Sequence, residues 1–237
     1  MEPEIDFNKL LKSIANDRLK LYGFIQKGKS RSFHCDKEWL TFVIEFQPSA
    51  WSKGSYLNVG LDFHFYPREN FAYSYVNRVS DFIEFTDEDQ FIKVVEVLCD
   101  KAIKRFQLLE RNFKDIWSAI EILEKEKDKS YYAYDLAILY ALTENYEKAL
   151  LPLKQLSEAA CEYDWHFERR EVVNKLIDWI VQDPATFLEK FKNQINETRK
   201  LKKLKPANLQ QLTERKNSAS GKFKINKRWL LKLFGFE

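Results

Sequence analysis

The sequence predicts an α+β protein, in which an N-terminal antiparallel sheet packed with helices is followed by a helical C-terminal half. Two observations lead to this prediction. Apolar and polar residues alternate along residues 39–66, and apolar residues recur every three or four positions through most of the chain after residue 112. The first period is that of a strand and the second is that of a helix. With 45% hydrophobic and 15% aromatic residues, the chain can also build a folded core.

The central prediction concerns two long strands joined by a turn-rich connection at residues 48–55. Every second position of both strands is apolar: Leu40, Phe42, Ile44 and Phe46 in the first, then Leu57, Val59, Leu61, Phe63 and Phe65 in the second. Successive side chains of a strand point to opposite faces, so these residues should face a core. Asn58, Asp62 and His64 are separated by even intervals, and we expect them to project together from the other face.

Further elements are expected on both sides of these strands. A helix over residues 6–22 should end at Gly23, and short strands over 24–26 and 30–35, with turns at 27–29 and 36–37, give a meander of about four strands. Residues 71–85 are rich in aromatic and β-branched residues but alternate imperfectly, which leaves open a short strand or a loop over the sheet. A second helix should begin near Asp87, a good capping residue, and continue to Leu109.

The rest of the chain reads as helices and a basic tail. Helices are predicted over residues 131–143, 146–162, 168–182 and 184–203, with Pro184 suited to the first position of the last one. The expected domains are a sheet domain at 1–110, helical hairpins at 111–205, and a basic linker with an amphipathic tail at 206–237. The large apolar side chains of residues 223–236 lead us to expect that the tail docks on another surface.

Composition excludes several classes of protein. No stretch of the 237 residues approaches the roughly 20 consecutive apolar residues of a membrane span. The first residues are acidic, whereas a signal peptide begins with a basic region, so a cytoplasmic protein is expected. Cys35, Cys99 and Cys161 form neither a Cys-x-x-Cys motif nor an even disulfide set. We expect reduced thiols, at least two of them packed as small hydrophobic side chains.

The net charge of +3 conceals a strong asymmetry. Residues 199–232 carry 12 Lys or Arg and one acidic residue, which leaves 27 basic and 35 acidic residues in the remainder. The candidate contact residues of the basic segment are Arg199, Lys200, Lys202, Lys203, Lys205, Lys227 and Arg228. They are consistent with docking on the acidic body, with a partner protein, with nucleic-acid phosphates, or with an anionic membrane surface. The sequence leaves the oligomeric state open.

A candidate binding surface lies on the polar side of the central strands. Its residues are Gln47, Ser49, Trp51, Asn58, Asp62, His64 and Tyr66. A polar patch beside aromatic side chains suits the binding of a protein partner or a polar ligand. The alternative is that these residues are simply the solvated face of a sheet that is covered on one side.

Enzyme chemistry has little support in the sequence. There is no Gly-x-Ser-x-Gly elbow and no phosphate-binding Gly-rich loop, and no cofactor is expected. An enzyme of unknown class would require His34, Cys35, Asp62 and His64 to converge in one pocket. The same four residues lack the spacing of known zinc motifs.

One helical hairpin, predicted at residues 131–162, resembles half of a tetratricopeptide repeat. The resemblance is carried by Leu136, Ala137, Tyr140, Asn145, Tyr146, Ala149 and Leu150. It implies two helices that approach closely at the two alanines, with Tyr140 in the groove. Leu153 stands where an aromatic residue is usual, and no second copy is present, whereas arrays need about three repeats.

Residues 19–66 resemble an uncharacterised bacterial family of small α+β proteins. The resemblance is carried by Phe46-Gln47-Pro48-Ser49-x-Trp51 and by Leu57-Asn58-Val59-Gly60. Some members lie near toxin–immunity gene clusters, and the family has no settled activity. The resemblance implies a binding protein of immunity-like or adaptor type, with no catalytic residue to carry over. Protein recognition is therefore the predicted function, and nucleic-acid association through the basic segment is the alternative.

Overall fold

The computed structural model describes residues 6–160 and 163–213, which form two compact units. The first unit comprises residues 6–64 and 70–112. The second comprises residues 65–69 together with the described part of 113–213. The α+β prediction is confirmed, because the first unit holds a five-stranded antiparallel sheet with two helices and the second holds five further helices.

The first unit begins with helix α1, whose two ends have clear local causes. Asp6 caps its start by accepting a hydrogen bond from the Lys9 amide at 3.1 Å, and Gly23 ends the following 3-10 turn at a left-handed φ of 81°. The elements in chain order are α1 (Phe7–Leu19), β1 (Ile25–Gln26), β2 (Ser32–Lys37), β3 (Leu40–Gln47), β4 (Gly54–Phe63), β5 (Tyr75–Glu84) and α2 (Glu88–Asn112).

The sheet is a meander of five strands in the order β1-β2-β3-β4-β5, one more than predicted. The additional strand is β5, in a segment for which the sequence allowed either a short strand or a loop. A bulge opposite Leu57 explains the imperfect alternation of β5. The turn predicted at residues 36–37 lies instead at Glu38 and Trp39. Its cause is the Asp36 carboxylate, which accepts from the Glu38 amide at 3.2 Å, while Glu38 adopts a φ of 63°.

The core of the first unit lies between the sheet and its two helices. As predicted, Leu57, Val59, Leu61 and Phe63 of β4 are at most 1% exposed. Phe106 of α2 reaches into this layer, where its ring centroid lies 4.9 Å from that of Phe24 and 5.1 Å from that of Phe42. The apolar side chains that alternate along the strands thus pack against those spaced by three or four along the helices, and together they form one apolar layer.

The second unit is helical, and the short segment 65–69 packs among its helices. The Phe65 carbonyl accepts hydrogen bonds from the Tyr134 hydroxyl at 3.2 Å and from the Gln194 amide at 3.0 Å. The Phe65 ring also lies 5.7 Å from that of Phe191. The helices are α3 (Ile116–Lys125), α4 (Ala133–Leu142), α5 (Tyr146–Glu158), α6 (Asp164–Gln182) and α7 (Pro184–Leu201).

Helices α4 and α5 form the helical hairpin predicted at residues 131–162. Ala137 and Ala149 are fully buried, as close approach of the helices requires. Tyr140 does not fill a purely apolar groove, because its hydroxyl donates to the Glu124 carboxylate of α3. That hydrogen bond, together with Lys148 at 3.3 Å, lowers the pKa of Glu124. The hairpin is therefore tied to the helix before it by polar contacts as well as by packing.

Among the described residues, no helix is both long enough and apolar enough to cross a membrane. The predicted amphipathic segment 223–236 lies outside the described residues, as do Cys161, Lys227 and Arg228.

Candidate functional site

The polar face of the sheet is not the open surface that its alternation predicts. Residues 70–74, which precede β5, lie against it. The Ala72 amide donates to Asp62 Oδ2 at 3.4 Å, and the Phe71 ring centroid lies 4.2 Å from that of His34. Asp62 is 0% exposed as a result, and Asn58 is 7% exposed. This corrects the expectation that Asp62 would contact a partner: strand alternation fixes which face a residue takes but not what covers that face.

His64 is also fully buried, and its contacts are those of a structural side chain. Nδ1 lies 2.9 Å from the Glu38 carbonyl oxygen, and Nε2 lies 3.0 Å from the Thr41 hydroxyl. A carbonyl oxygen only accepts, so Nδ1 donates the hydrogen bond to Glu38. The imidazole thereby holds the turn at Glu38 against the end of β4, and it does not offer a polar edge to a partner.

Tyr66 belongs to the second unit, where its ring centroid lies 5.8 Å from that of Tyr134. The predicted patch is therefore divided. Gln47 and Asn58 share one hydrogen-bond network, Ser49 and Trp51 lie on the β3–β4 loop, and the remaining three residues serve packing. Residues 70–74 cover Asp62, and no local pattern of the strands encodes that cover.

The Asn58 network consists of Glu45, Gln47, Asn58 and Arg78 on three adjacent strands. Asn58 lies directly between Glu45 and Arg78 in the strand register. Its amide nitrogen donates to Glu45 at 3.1 Å and to Gln47 at 2.8 Å, and Arg78 donates to Gln47 at 3.0 Å. Arg78 also stacks over the Tyr56 ring, 4.3 Å from its centroid. The network fixes these side chains in a mutually satisfied arrangement.

Beside this network lies a large cleft, which we call the β3–β4 cleft. It has a volume of about 790 Å³ and lies between the β3–β4 loop, residues 29–32 and the start of α1. The residues of its wall that matter below are Asn8, Lys29, Arg31, Glu45, Trp51 and Lys53. Antiparallel pairing of β2 with β3 places Ser32 opposite Glu45 and so brings the two loops together. Clefts of this size are the usual form of a binding site.

Trp51 is the most exposed large apolar side chain among the described residues, at 95%. The loop that carries it is shaped by Ser49, whose hydroxyl accepts a hydrogen bond from the Trp51 amide at 3.1 Å. Ser49 therefore positions the loop, and Trp51 is the residue available for contact. Both were predicted as site residues, and the structure gives them different roles.

Arg31 gives the cleft a positive charge held in a fixed place. Nε donates to Asn8 Oδ1 at 2.6 Å, and Nη1 donates to the Gly54 carbonyl at 3.1 Å. Both acceptors are neutral, and among the described residues no carboxylate pairs with this guanidinium. Partial burial lowers the pKa of Arg31, but an arginine stays charged at neutral pH. The remaining N–H groups can serve an anionic ligand.

Sequence reasoning missed Arg31, Lys53 and Arg78. Lys53 lies in the turn-rich connection, and Arg31 follows a predicted turn, so each read as a solvated charge. Only the pairing of β2, β3, β4 and β5 shows which charged side chains lie close to one another around the cleft. The one available signal was their closeness to the predicted strand ends, where loops of a meander converge.

Only some of the basic side chains at the end of α7 are exposed. Arg199 and Lys202 are 2% and 1% exposed, which corrects the expectation that they contact a partner. Helix α7 ends at Leu201, and the chain turns so that Arg199 Nε donates to the Lys205 carbonyl at 2.8 Å. Of the described basic candidates, Lys200, Lys203 and Lys205 are exposed.

The four residues proposed for an enzyme site do not converge. Cys35 packs on the helix-covered face of the sheet, whereas His34 and Asp62 lie on the other face. No group of three or more His, Cys, Asp or Glu side chains within the described residues is placed to hold a metal ion. The geometry thus gives neither a nucleophile–base pair nor a metal centre from this set.

Cys35 and Cys99 should resist alkylation in the folded protein. Both are buried, as predicted for two of the cysteines, and burial raises the pKa of Cys99 to about 12 and that of Cys35 in the same direction. Because only the thiolate reacts, the raised pKa values leave a much smaller reactive fraction in the native protein than in the unfolded chain at neutral and mildly alkaline pH. Burial also blocks access to both thiols, so native labelling should be slower throughout this pH range.

The measurement is iodoacetamide labelling of a Cys161→Ser variant, followed by mass spectrometry with and without denaturant. We expect native labelling to be slower by at least about 100-fold. Equal rates in the two conditions would show that these thiols are accessible.

Comparison of the chain with protein-family models, with curated proteins and with solved structures gave no match. The resemblance of residues 19–66 to the uncharacterised bacterial family stays a hypothesis.

Proposed function

We propose that this chain is a non-catalytic recognition protein that binds another protein through the β3–β4 cleft and its loop. The observation that supports the proposal is Trp51, an indole 95% exposed on a loop shaped by Ser49, next to a cleft of about 790 Å³. Tryptophan and arginine are the residues that most often dominate binding energy at protein interfaces. Here Trp51 and Arg31 lie along the same cleft.

The Asn58 network supports the same proposal. It holds the strands beside the cleft in one arrangement before any partner arrives, which reduces the conformational entropy that those strands lose on binding. The bacterial family resemblance adds a narrower hypothesis, namely an immunity-like or adaptor protein. Nucleic-acid association through Lys200, Lys203 and Lys205 is the competing function, and the experiment below includes it.

The test is affinity capture from the native cell with quantitative mass spectrometry. We expect a protein that the wild type enriches to be lost with Trp51→Ala. The matched control is Trp165→Ala, which removes another exposed tryptophan, 54% exposed, from the second unit. A third variant replaces Lys200, Lys203 and Lys205 by Glu.

Loss of the same protein with Trp51→Ala alone supports the proposal. Unchanged capture with Trp51→Ala, or loss only with Trp165→Ala, contradicts it. If only the lysine variant loses its bound material, and a nuclease also removes that material, the function is nucleic-acid association instead.

A further inference from the structure

We infer that the β3–β4 cleft binds an acidic peptide segment of the partner, with a carboxylate on Arg31 and an apolar side chain against Trp51. The inference rests on the proposed function and specifies the chemistry of its partner. Outside residues 199–232 the chain carries more acidic than basic residues, which by itself would favour a basic partner. The local charge of the cleft decides this point, and the total charge does not.

Three cations and one carboxylate line the cleft: Lys29, Arg31, Lys53 and Glu45. The Glu45 carboxylate already accepts hydrogen bonds from Asn58 at 3.1 Å and from the Tyr73 hydroxyl at 3.4 Å. Its charge is partly satisfied within the protein, whereas Arg31 has only neutral acceptors among the described residues. The cleft therefore offers net positive charge to whatever enters it.

The geometry of Arg31 favours a carboxylate. Asn8 and Gly54 occupy Nε and Nη1 and fix the plane of the guanidinium, which leaves Nη2 and the second Nη1 hydrogen to donate. A planar, half-buried guanidinium binds carboxylate oxygens more strongly than a freely rotating surface lysine does. Arg31 is thus the specificity-determining residue, and the exposed Lys29 adds attraction at longer range.

A peptide fits this cleft better than a nucleic acid does. Single-stranded nucleic acids are held by several aromatic side chains on which successive bases stack. Trp51 is the exposed aromatic residue of this wall, since Phe46 is 0% exposed, so successive bases would find only one ring on which to stack. One indole beside one fixed arginine instead matches a short segment with one apolar and one acidic side chain.

The test uses fluorescence anisotropy with short labelled peptides in which Leu alternates with Glu, Gln or Lys, and with a labelled oligothymidylate. We expect the Glu peptide to bind more tightly than the Gln peptide, and the Lys peptide not to bind. Arg31→Gln should weaken binding of the Glu peptide by at least about tenfold. The control is Arg111→Gln, the same change at an exposed arginine outside the cleft wall.

Two further variants keep the inference testable if Arg31→Gln disturbs the fold. Arg31→Lys retains the charge but not the planar fork and should weaken binding by about threefold to tenfold. Lys29→Glu changes an exposed side chain and should weaken it by a similar factor. Equal binding by wild type and all three variants overturns the inference, as does tighter binding of the Lys peptide or of the oligothymidylate.

One competing occupant is the chain's own N-terminal segment, because Glu2 and Glu4 precede Asp6 and Asn8, which border the cleft region. A variant with both glutamates changed to Gln should bind the Glu peptide within about twofold of the wild type. A tenfold gain would assign the cleft to that segment and overturn the inference. If Trp51→Ala abolishes partner capture while no Glu peptide binds, this inference fails and the proposed function stands.

Discussion

Replacing Phe106 by Ala should lower the free energy of unfolding of the first unit by about 3–5 kcal/mol. Phe106 is 3% exposed, and its ring lies edge-on to the rings of Phe24 and Phe42 at centroid distances of 4.9 and 5.1 Å. The substitution removes the buried ring, leaves a cavity between α2 and the sheet, and breaks both aromatic contacts. Phe106 is one of the buried α2 side chains that join the helix layer of the first unit to its sheet.

The measurement is urea unfolding followed by circular dichroism, with hydrogen exchange of the β3 amides as the readout specific to this unit. The matched control is Val97→Ala on the same helix, at a side chain 52% exposed, which should change the free energy by no more than about 0.5 kcal/mol. A loss of less than about 1 kcal/mol for Phe106→Ala would mean that the neighbouring rings close the cavity.

Gly60→Ala should destabilise the first unit by about 3 kcal/mol, the upper end for overpacking. A Cβ atom at residue 60 would lie 2.2 Å from the Tyr75 carbonyl oxygen, 2.8 Å from the Tyr73 ring and 2.9 Å from Val76 Cα. Two of these three atoms belong to the backbone of β5 and cannot turn aside as a side chain can. The strand and the residues before it must move away from β4, so the cover over the polar face is lost with them.

Hydrogen exchange locates this effect, because the β5 amides should lose protection first. Gly28→Asn serves as the control: nothing lies within 4 Å of a Cβ there, and asparagine tolerates the φ of 56°. Wild-type protection of β5 in Gly60→Ala would show that the close approach to Tyr75 can relax at little cost.

The sequence predicted most elements because their signals are local. Alternation from Leu57 to Phe63 placed these side chains in the core, and the cap at Asp87 with the spacing that follows predicted α2. Strand β5 was harder to predict, since the bulge opposite Leu57 interrupts its period of two. The observed helix ends differ from the predicted ends by a few residues, because weak capping signals do not define where the last turn stops.

The candidate site could be predicted only in part. Trp51 and Gln47 were predicted because they stand near strand ends; Trp51 is exposed beside the cleft, and Gln47 joins the Asn58 network. Ser49 shapes the loop that carries Trp51. Asp62 and His64 read as surface residues because alternation puts polar side chains on the face away from the helices. Residues 70–74 then covered that face, and a loop of this kind carries no periodic signal.

By itself, the sequence determined the α+β class, the two central strands and which side chains of β4 enter the core. These follow from periods of two and of three to four residues, which act between neighbours along the chain. The tertiary structure alone decided that Asp62 and His64 are buried, that Arg199 and Lys202 are not surface charges, and that Arg31 and Trp51 share a cleft. Those outcomes depend on which distant segments pack together, and strand order and loop packing set that pairing.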